Sequence, residues 1–297
     1  MRGLFINLDE AVERREQIIG HLRELGLEQT YQRFSARRGD PSEAGARNLN
    51  TGELGLWKSW LELLEEQVGA AEANEFDYLH ILEDDAELSS LLPVFLQGLG
   101  PERNDFDLLF TEMYASPAYW MKMTKEVELI RKSNKIVLHR KDYNGCTSSI
   151  LVPKKRVTFI QEILSKCFQR TTELLPLDNY LRSLYCNQKI SIACTLPYLS
   201  AVRVDKIRNS TIKNDQSHLM KLTQELNALL RRHLSVLKDD KTGTSVNEAI
   251  LRLITAHQSD HFSEKLIKAG LGIVIDDQLC RYKLDPRLKG QPNNPQA

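Results

Sequence analysis

The sequence predicts an α/β protein in which helices flank a mixed, mostly parallel β-sheet. Two observations support this fold class. Short apolar runs alternate with amphipathic helical segments in the first half of the chain, and polar residues follow the apolar runs where strands would end. Strands that alternate with helices of this length are typical of parallel sheets covered on both faces. With 297 residues, the chain can form one large domain with an appendage.

The predicted strands are short apolar runs bounded by polar or turn-forming residues. They cover residues 3–8, 31–36, 76–82, 106–110, 136–139, 149–152 and 190–194. Between them, apolar residues at helical spacing predict a helix that Gly26 ends and a stronger helix with Thr51 as its N-cap. Two more helices are predicted around Val157–Cys167 and Leu181. Because ligands gather at the carboxyl ends of parallel strands, residues after these runs are candidate site residues.

The overall composition excludes several classes of function. The chain has 40 Lys and Arg residues, 40 Asp and Glu residues and a pI of about 7.1. The protein therefore has no overall positive electrostatic field that would attract nucleic acid. Five cysteines without metal-finger or C-x-x-C spacing indicate reduced thiols. No apolar stretch approaches the roughly 20 residues of a membrane span. We expect the protein to be cytoplasmic, either free or at the cytoplasmic face of the inner membrane.

The character of the sequence changes near Asp205. Apolar residues at helical spacing form two stripes, at 219–230 and 246–254, around a polar turn at 238–243. We predict a large α/β domain over residues 1–212, a helical region over 213–288 and a flexible tail over 289–297. The first stripe either packs on the domain or forms a homodimer contact, and the sequence leaves both open.

Three adjacent carboxylates, Glu83, Asp84 and Asp85, directly follow the predicted strand 76–82. Carboxylates placed together at the end of a buried strand repel one another and resist desolvation, and a hard divalent cation relieves both effects. Strand alternation puts Glu83 and Asp85 on one face, so these two are the predicted metal ligands. Asp84 then meets a ribose hydroxyl or a backbone amide, unless the strand has already ended. The alternative is a solvated loop in which Asp85 lies at the start of a helix.

Further segments occur in a characteristic order around this acidic cluster. They are Phe5-Ile6-Asn7-Leu8 with Arg14 and Arg15, Arg33-Phe34-Ser35-Ala36 with Gly39, Thr51-Gly52-Glu53-Leu54-Gly55 with Ser59, Gly145-Cys146-Thr147-Ser148-Ser149, Pro176-Leu177-Asp178, and Asn209-Ser210-Thr211-Ile212. In this order and spacing the segments resemble glycosyltransferase family 25, which includes bacterial lipopolysaccharide glycosyltransferases and collagen galactosyltransferase domains. The resemblance covers roughly residues 3–212.

The chain departs from the family's pattern in its G-E-x-G box. Leu56 replaces the cysteine of that box, and Trp60 replaces its histidine. A tryptophan at this position could supply a stacking surface for a sugar or base. Trp57, on the same predicted helix, is expected to pack in the core.

The resemblance implies a GT-A-type, Rossmann-like fold, a UDP-sugar donor, Mn²⁺ (or Mg²⁺) and inversion at the anomeric carbon. A saccharide or glycolipid acceptor in lipopolysaccharide, capsule or other glycan assembly would receive the sugar. The chemistry is consistent with this, because transfer from a nucleotide sugar needs neutralisation of the developing diphosphate charge. It also needs a general base for the acceptor hydroxyl. A non-catalytic scaffold and a nucleotidyltransferase remain the alternatives.

Two carboxylates are candidates for the general base. Asp178 lies in the Pro-x-Asp element just before an apolar helix, and its alternative role is an N-cap. Glu112 follows the predicted strand 106–110, and its alternative is an ordinary loop carboxylate.

The remaining predicted site residues concern the nucleotide. Asn7 at the end of the first strand is expected to meet the base or ribose, and Arg14 or Arg15 the diphosphate. Gly52 and Glu53 are carried over from the family's box, although Glu53 is equally suited to a helix N-terminal charge. His80, inside a buried-strand candidate, is predicted to be a core histidine with its hydrogen bonds satisfied.

Overall fold

The computed structural model describes residues 1–73, 75–100, 106–114, 136–139, 145–203 and 235. The strands are β1 (Arg2–Asn7), β2 (Tyr31–Ser35), β3 (Tyr78–Glu83), β4 (Ala86–Leu88), β5 (Leu108–Phe110), β6 (Val137–His139), β7 (Ser149–Pro153), β8 (Ile192–Leu196) and β9 (Ser200–Val202). Seven of them form one sheet in the order β2-β1-β3-β7-β5-β8-β6, and β4 and β9 form a second sheet. All seven strands predicted from the sequence are present, whereas β4 and β9 were not predicted.

The large sheet is mixed, with most strands running in one direction. β1 pairs in parallel with β2 and β3, and β5 pairs in parallel with β8. β7 lies antiparallel between β3 and β5, and β6 is antiparallel to β8. The predicted mixed, mostly parallel sheet is therefore confirmed. This topology brings the carboxyl ends of β1, β3 and β5 to the same edge as the start of β7.

Helices flank the sheet as predicted. They are α1 (Val12–Glu24), α2 (Pro41–Ala46), α3 (Thr51–Glu72), α4 (Leu92–Gly98), α5 (Lys154–Arg170) and α6 (Leu177–Cys186). Alternate residues of β1 point into two apolar clusters: Leu4 packs with residues of α3, α5 and α6, and Phe5 packs with residues of α1 and α4. The sheet is thus covered on both faces, which explains why its strands are apolar on both sides.

Helix α3 begins with a capping box. The side chain of Asn50 accepts a hydrogen bond from the Glu53 backbone at 2.8 Å, and the Glu53 carboxylate accepts one from the Asn50 backbone at 2.9 Å. The prediction of Thr51 as N-cap is wrong by one residue, because Asn50 carries the capping oxygen. Such a cap contributes about 1 kcal/mol to stability.

The two tryptophans of α3 are both fully buried. Trp57 is 0% exposed and its Nε1 donates to the backbone oxygen of Leu175 at 2.8 Å, which confirms its predicted place in the core. Trp60 is also 0% exposed and belongs to the same apolar cluster. The prediction that Trp60 offers a stacking surface to a sugar or base is wrong, because its ring is enclosed by the core.

The predicted helical C-terminal region at 213–288 and the tail at 289–297 lie outside the described residues, as do the boundary at 212 and the homodimer contact. Beyond residue 203 the structure describes Ser235, which forms a single parallel bridge with Tyr198. Within the described parts of the chain, no helix combines the length and apolar character that a bilayer crossing needs.

Candidate active site

The acidic cluster lies at the carboxyl edge of the large sheet. β3 ends at Glu83, and Asp84 and Asp85 form a turn that leads directly into β4. We call Glu83, Asp84 and Asp85 the acidic turn. Because the strand has already ended, strand alternation does not set the direction of Asp85. The alternative in which Asp85 begins a helix is also wrong, since a strand follows it.

Glu83 faces the start of β7. The hydroxyl of Thr147 donates to Glu83 Oε1 at 2.5 Å, and the Glu83 backbone N–H donates to the Ser148 carbonyl at 2.8 Å. The pKa of the Glu83 carboxyl is raised to about 8, mainly by burial and also by the charges of Asp85, Asp84 and Asp178, while the Thr147 hydrogen bond lowers it. Asp178 is distant in sequence, so the fold brings it within electrostatic range of the acidic turn.

Asp84 is held from two sides. Its Oδ2 accepts a hydrogen bond from Asn7 Nδ2 at 2.6 Å, and its Oδ1 pairs with Arg14 Nη1 at 3.0 Å. Its side chain is 8% exposed. Asp84 therefore ties the ends of β1 and β3 to α1, and the predicted ribose contact of Asp84 stays a prediction.

Asn7 connects Asp84 to two further groups at this edge of the sheet. Its Nδ2 also donates to the Ala11 carbonyl at 3.1 Å, and its Oδ1 accepts from Arg33 Nε at 3.0 Å. Asn7 is 1% exposed. These contacts make Asn7 a structural residue of the sheet edge, and its contact with a base or ribose stays a prediction.

Residues 145–148, which we call the β7 approach, bind two carboxyl groups and pass close to a third. Thr147 donates to Glu83, Ser148 donates to Glu112, and a Cβ at Gly145 would lie 3.3 Å from Asp178 Oδ2. Gly145 and Cys146 both adopt positive φ, at 88° and 97°. A non-glycine residue at such a φ is strained, and strain of this kind concentrates at functional sites.

The two predicted bases occupy different surroundings. Glu112 is 0% exposed and accepts a hydrogen bond from Ser148, so the alternative of an ordinary loop carboxylate is wrong. Asp178 is half-buried in the first turn of α6, where the N-cap is Pro176. Its Oδ1 accepts from the Asn179 backbone at 2.8 Å. The alternative in which Asp178 caps the helix is therefore also wrong.

The remaining predicted residues lie apart from these contacts. Arg15 pairs with the neighbouring Glu16 at 3.7 Å. Glu53 uses its carboxylate in the capping box of α3, which confirms its alternative role at a helix N-terminus. Gly52 lies beside it in the first turn of α3. A nucleotide contact of Arg15, Gly52 or Glu53 stays a prediction.

Three residues at this edge were not predicted as site residues. Thr147 and Ser148 lie in the polar run Gly-Cys-Thr-Ser-Ser before an apolar strand, one of the segments that carry the family resemblance, but neither residue was assigned a role from the sequence. Arg203 had no signal in the sequence. Its backbone N–H donates to the Asp85 carbonyl at 3.0 Å, and its Nη1 donates to Gln17 on α1 at 3.2 Å.

The carboxylates do not form a complete metal cage by themselves. Among the residues that the structure describes, no three His, Cys, Asp or Glu side chains are placed to hold a metal ion together. Asp84 is bound by Asn7 and Arg14. Glu83, whose Oε1 accepts from Thr147, and Asp85 are the other two carboxylates of the acidic turn and offer hard oxygen donors. This donor set suits a cation that takes its other ligands from a bound phosphate and from water, as Mg²⁺ commonly does.

His80 lies in β3 below this edge and is fully buried. Its Nδ1 lies 2.5 Å from the Tyr31 hydroxyl, and its Nε2 lies 2.9 Å from Ser149 Oγ. Burial lowers the pKa of the imidazole to about 3, so the ring is neutral at physiological pH. The prediction of a core histidine with satisfied hydrogen bonds is confirmed.

We expect His80 to make the protein acid-sensitive. In the unfolded chain the imidazole takes up a proton near pH 6.5, and in the folded protein only near pH 3. The unfolded state therefore binds more protons across this window, and stability falls as the pH drops from 6.5 towards 3. From pH 6.5 to 4.5 the loss from this group is about 2 kcal/mol. Urea unfolding of wild type and His80→Gln at both pH values checks this. Equal losses in the two proteins would contradict it.

Comparisons with known proteins identify no family. No protein-family model matches the sequence, and no curated protein matches it. Among solved structures, the crystal structure of A197 from STIV aligns with a TM-score of 0.34 and 13% identity, covering 73% of this chain and 100% of A197. A TM-score of this size carries no argument, so any assignment of function depends on the chain's own residues.

Proposed function

We propose that this protein is an inverting glycosyltransferase that uses Mn²⁺ or Mg²⁺ and moves a hexose, galactose or glucose, from a UDP-sugar to a saccharide or glycolipid acceptor. The observation that carries the proposal is the meeting of the acidic turn, Asp178 and Glu112 around the β7 approach at one sheet edge. A GT-A-type fold and membership of glycosyltransferase family 25 are part of the same proposal. The acceptor would belong to lipopolysaccharide, capsule or another glycan.

In this proposal Asp85 and Glu83 hold the cation, which when bound neutralises charge on the diphosphate leaving group. The position favours such a use, because burial and the neighbouring charges raise the pKa of Glu83 and make its carboxylate costly to ionise without a cation. Asp84 orients the acidic turn through its pairing with Arg14 and Asn7. Outer contacts of this type fix the direction of metal-binding side chains.

Arg14 and Arg203 supply positive charge beside the acidic turn. Arg14 pairs with Asp84, and its side chain is 26% exposed. Arg203 is fixed to Asp85 through its backbone and to Gln17 of α1 through its side chain. Guanidinium groups bind phosphate oxygens in a two-pronged geometry. We assign both residues to the diphosphate of the donor.

Asp178 is the better candidate for the general base. A base must reach an acceptor hydroxyl that arrives from solvent, and Asp178 is half-buried whereas Glu112 is 0% exposed. Glu112, bound by Ser148, is better suited to holding the β7 approach in place. The base would take the hydroxyl proton on the face of the sugar opposite the departing diphosphate.

The test is a donor screen that measures free UDP released from several UDP-sugars with Mn²⁺. Release of UDP supports the proposal, and release of pyrophosphate indicates a nucleotidyltransferase. Saturating UDP with Mn²⁺, at 100 times Kd, should also stabilise the fold by about 2.7 kcal/mol. Stabilisation without turnover on any donor indicates the non-catalytic alternative. If no donor releases UDP and UDP with Mn²⁺ does not stabilise the fold, the proposal is overturned.

We expect Asp178→Asn to lower kcat by about 10²–10⁴-fold with little change in the donor KM, because a lost base removes proton transfer and leaves donor binding intact. Steady-state UDP release with varied donor measures both constants. The matched control is Asp77→Asn, an exposed carboxylate that pairs with Lys154 at 3.3 Å. A rise in donor KM with unchanged kcat would show that Asp178 binds the donor and is not the base.

A further inference from the structure

We infer that Thr111 is a positioning residue for the candidate site, acting through a buried chain of hydrogen bonds that crosses the sheet beneath it. Thr111 follows β5, and its hydroxyl donates to Ser149 Oγ of β7 at 2.5 Å. The same hydroxyl lies 2.7 Å from Ser200 Oγ of β9. One side chain therefore links the two sheets. The catalytic part of this inference rests on the proposed function.

The chain of hydrogen bonds continues from Ser149 across the large sheet. Ser149 Oγ lies 2.9 Å from His80 Nε2 in β3, and His80 Nδ1 lies 2.5 Å from the Tyr31 hydroxyl in β2. Tyr31 is 6% exposed, Ser149 is 1% exposed, and His80, Thr111 and Ser200 are 0% exposed. Hydrogen-bond chains in a low-dielectric interior are strong when complete and costly when broken.

Gly3 allows this chain of hydrogen bonds to pass over β1. It is paired with Tyr31 on one side and with His80 on the other. A Cβ at Gly3 would lie 2.5 Å from Tyr31 Cδ1, so the tyrosine ring lies across the place where a side chain would stand. The tyrosine of β2 thus reaches the histidine of β3 only because β1 carries a glycine between them.

At its Thr111–Ser149 end, the chain of hydrogen bonds lies next to two residues of the candidate site. Thr111 directly precedes Glu112, and Ser149 directly follows Ser148, which donates to Glu112. Through Ser200 the Thr111 hydroxyl also meets β9, whose partner β4 directly follows the acidic turn. Loss of this hydroxyl would loosen the β7 approach, Glu112 and the second sheet together. A displacement of about 1 Å costs as much as 10²-fold in rate.

The experiment compares Thr111→Val, which keeps the shape without the hydroxyl, with Thr111→Ser, which keeps the hydroxyl. The matched control is Ser59→Ala on α3, because Ser59 is also a buried hydroxyl with two partners, the Gly55 carbonyl at 2.7 Å and the Arg37 N–H at 2.8 Å. Each protein is measured by thermal melting, by hydrogen–deuterium exchange of residues 145–149, and by kcat and donor KM for UDP release.

For Thr111→Val we expect exchange of residues 145–149 about tenfold faster than in wild type. We expect kcat about 10–100-fold lower with an unchanged donor KM. Thr111→Ser should restore both the exchange rate and kcat. Ser59→Ala should change neither, even if it melts at a lower temperature.

Unchanged exchange in Thr111→Val, or no recovery in Thr111→Ser, would overturn the inference. If wild type releases no UDP, the proposed function fails, and the exchange result still decides whether Thr111 holds the segment. If Thr111→Val does not fold, Ser200→Ala, which removes one partner of the hydroxyl, takes its place.

Discussion

Asp85→Asn is expected to lower kcat/KM for UDP-sugar-dependent transfer by about 10³-fold or more, because a neutral amide replaces one of the two carboxylates that we assign to the cation. The substitution keeps the shape of the side chain. It also keeps the backbone carbonyl that accepts the Arg203 N–H at 3.0 Å. The fold should therefore survive, and the loss should appear in cation-dependent binding and turnover.

Two measurements check this result. UDP should still stabilise Asp85→Asn to some degree, but the additional stabilisation that Mn²⁺ brings in wild type should disappear. Asp84→Asn is the matched control from the same turn, because Asp84 pairs with Arg14 at 3.0 Å and accepts from Asn7 at 2.6 Å. We expect that variant to lose stability of about 1–3 kcal/mol and to keep a Mn²⁺ response, weakened because Asp84 orients the turn. An undiminished Mn²⁺ effect in Asp85→Asn would remove Asp85 from the metal site.

Gly55→Ala is expected to destabilise the fold by about 1–3 kcal/mol, since overpacking forces backbone or side chains to shift. Gly55 is buried in α3, and a Cβ there would lie 2.5 Å from the Arg37 carbonyl oxygen. Because that oxygen belongs to the backbone, it cannot rotate away. Gly69 in the same helix provides the matched control, as a Cβ there would meet nothing within 4 Å.

Gly69→Ala should stabilise the protein by about 0.5–1 kcal/mol, because alanine loses less backbone entropy than glycine when it enters a helix. Midpoints of urea unfolding, with m-values to confirm the same transition, measure both variants. Opposite signs for the two substitutions are the expected result. If both variants were stabilised, the close approach of α3 to residues 37–39 would be wrong.

The strands of the large sheet were predictable because their signal is local. Each is an apolar run of a few residues with polar ends, and such runs lie in a sheet covered on both faces. β4 and β9 were missed for the opposite reason. Each has three residues, and Ala86 finds its partner in Val202, far along the chain. Pairing at that distance leaves no local pattern.

The same distinction applies to α3 and its tryptophans. Helical spacing was enough to place the helix, but the capping residue depended on which side chain met the Glu53 backbone, and that is Asn50. The spacing also could not assign Trp60 to the core or to a ligand. Its full burial follows from the packing of several elements around it.

The acidic turn at the end of β3 was determined by the sequence alone, since three adjacent carboxylates after an apolar strand are visible without any structure. What only the tertiary structure decided is how each carboxylate is used. Arg14 and Asn7 bind both oxygens of Asp84, whereas Thr147, 64 residues further along the chain, donates to Oε1 of Glu83. The physical reason is that an antiparallel strand, β7, inserts between β3 and β5 and brings its polar start to their carboxyl ends. No local pattern encodes that insertion.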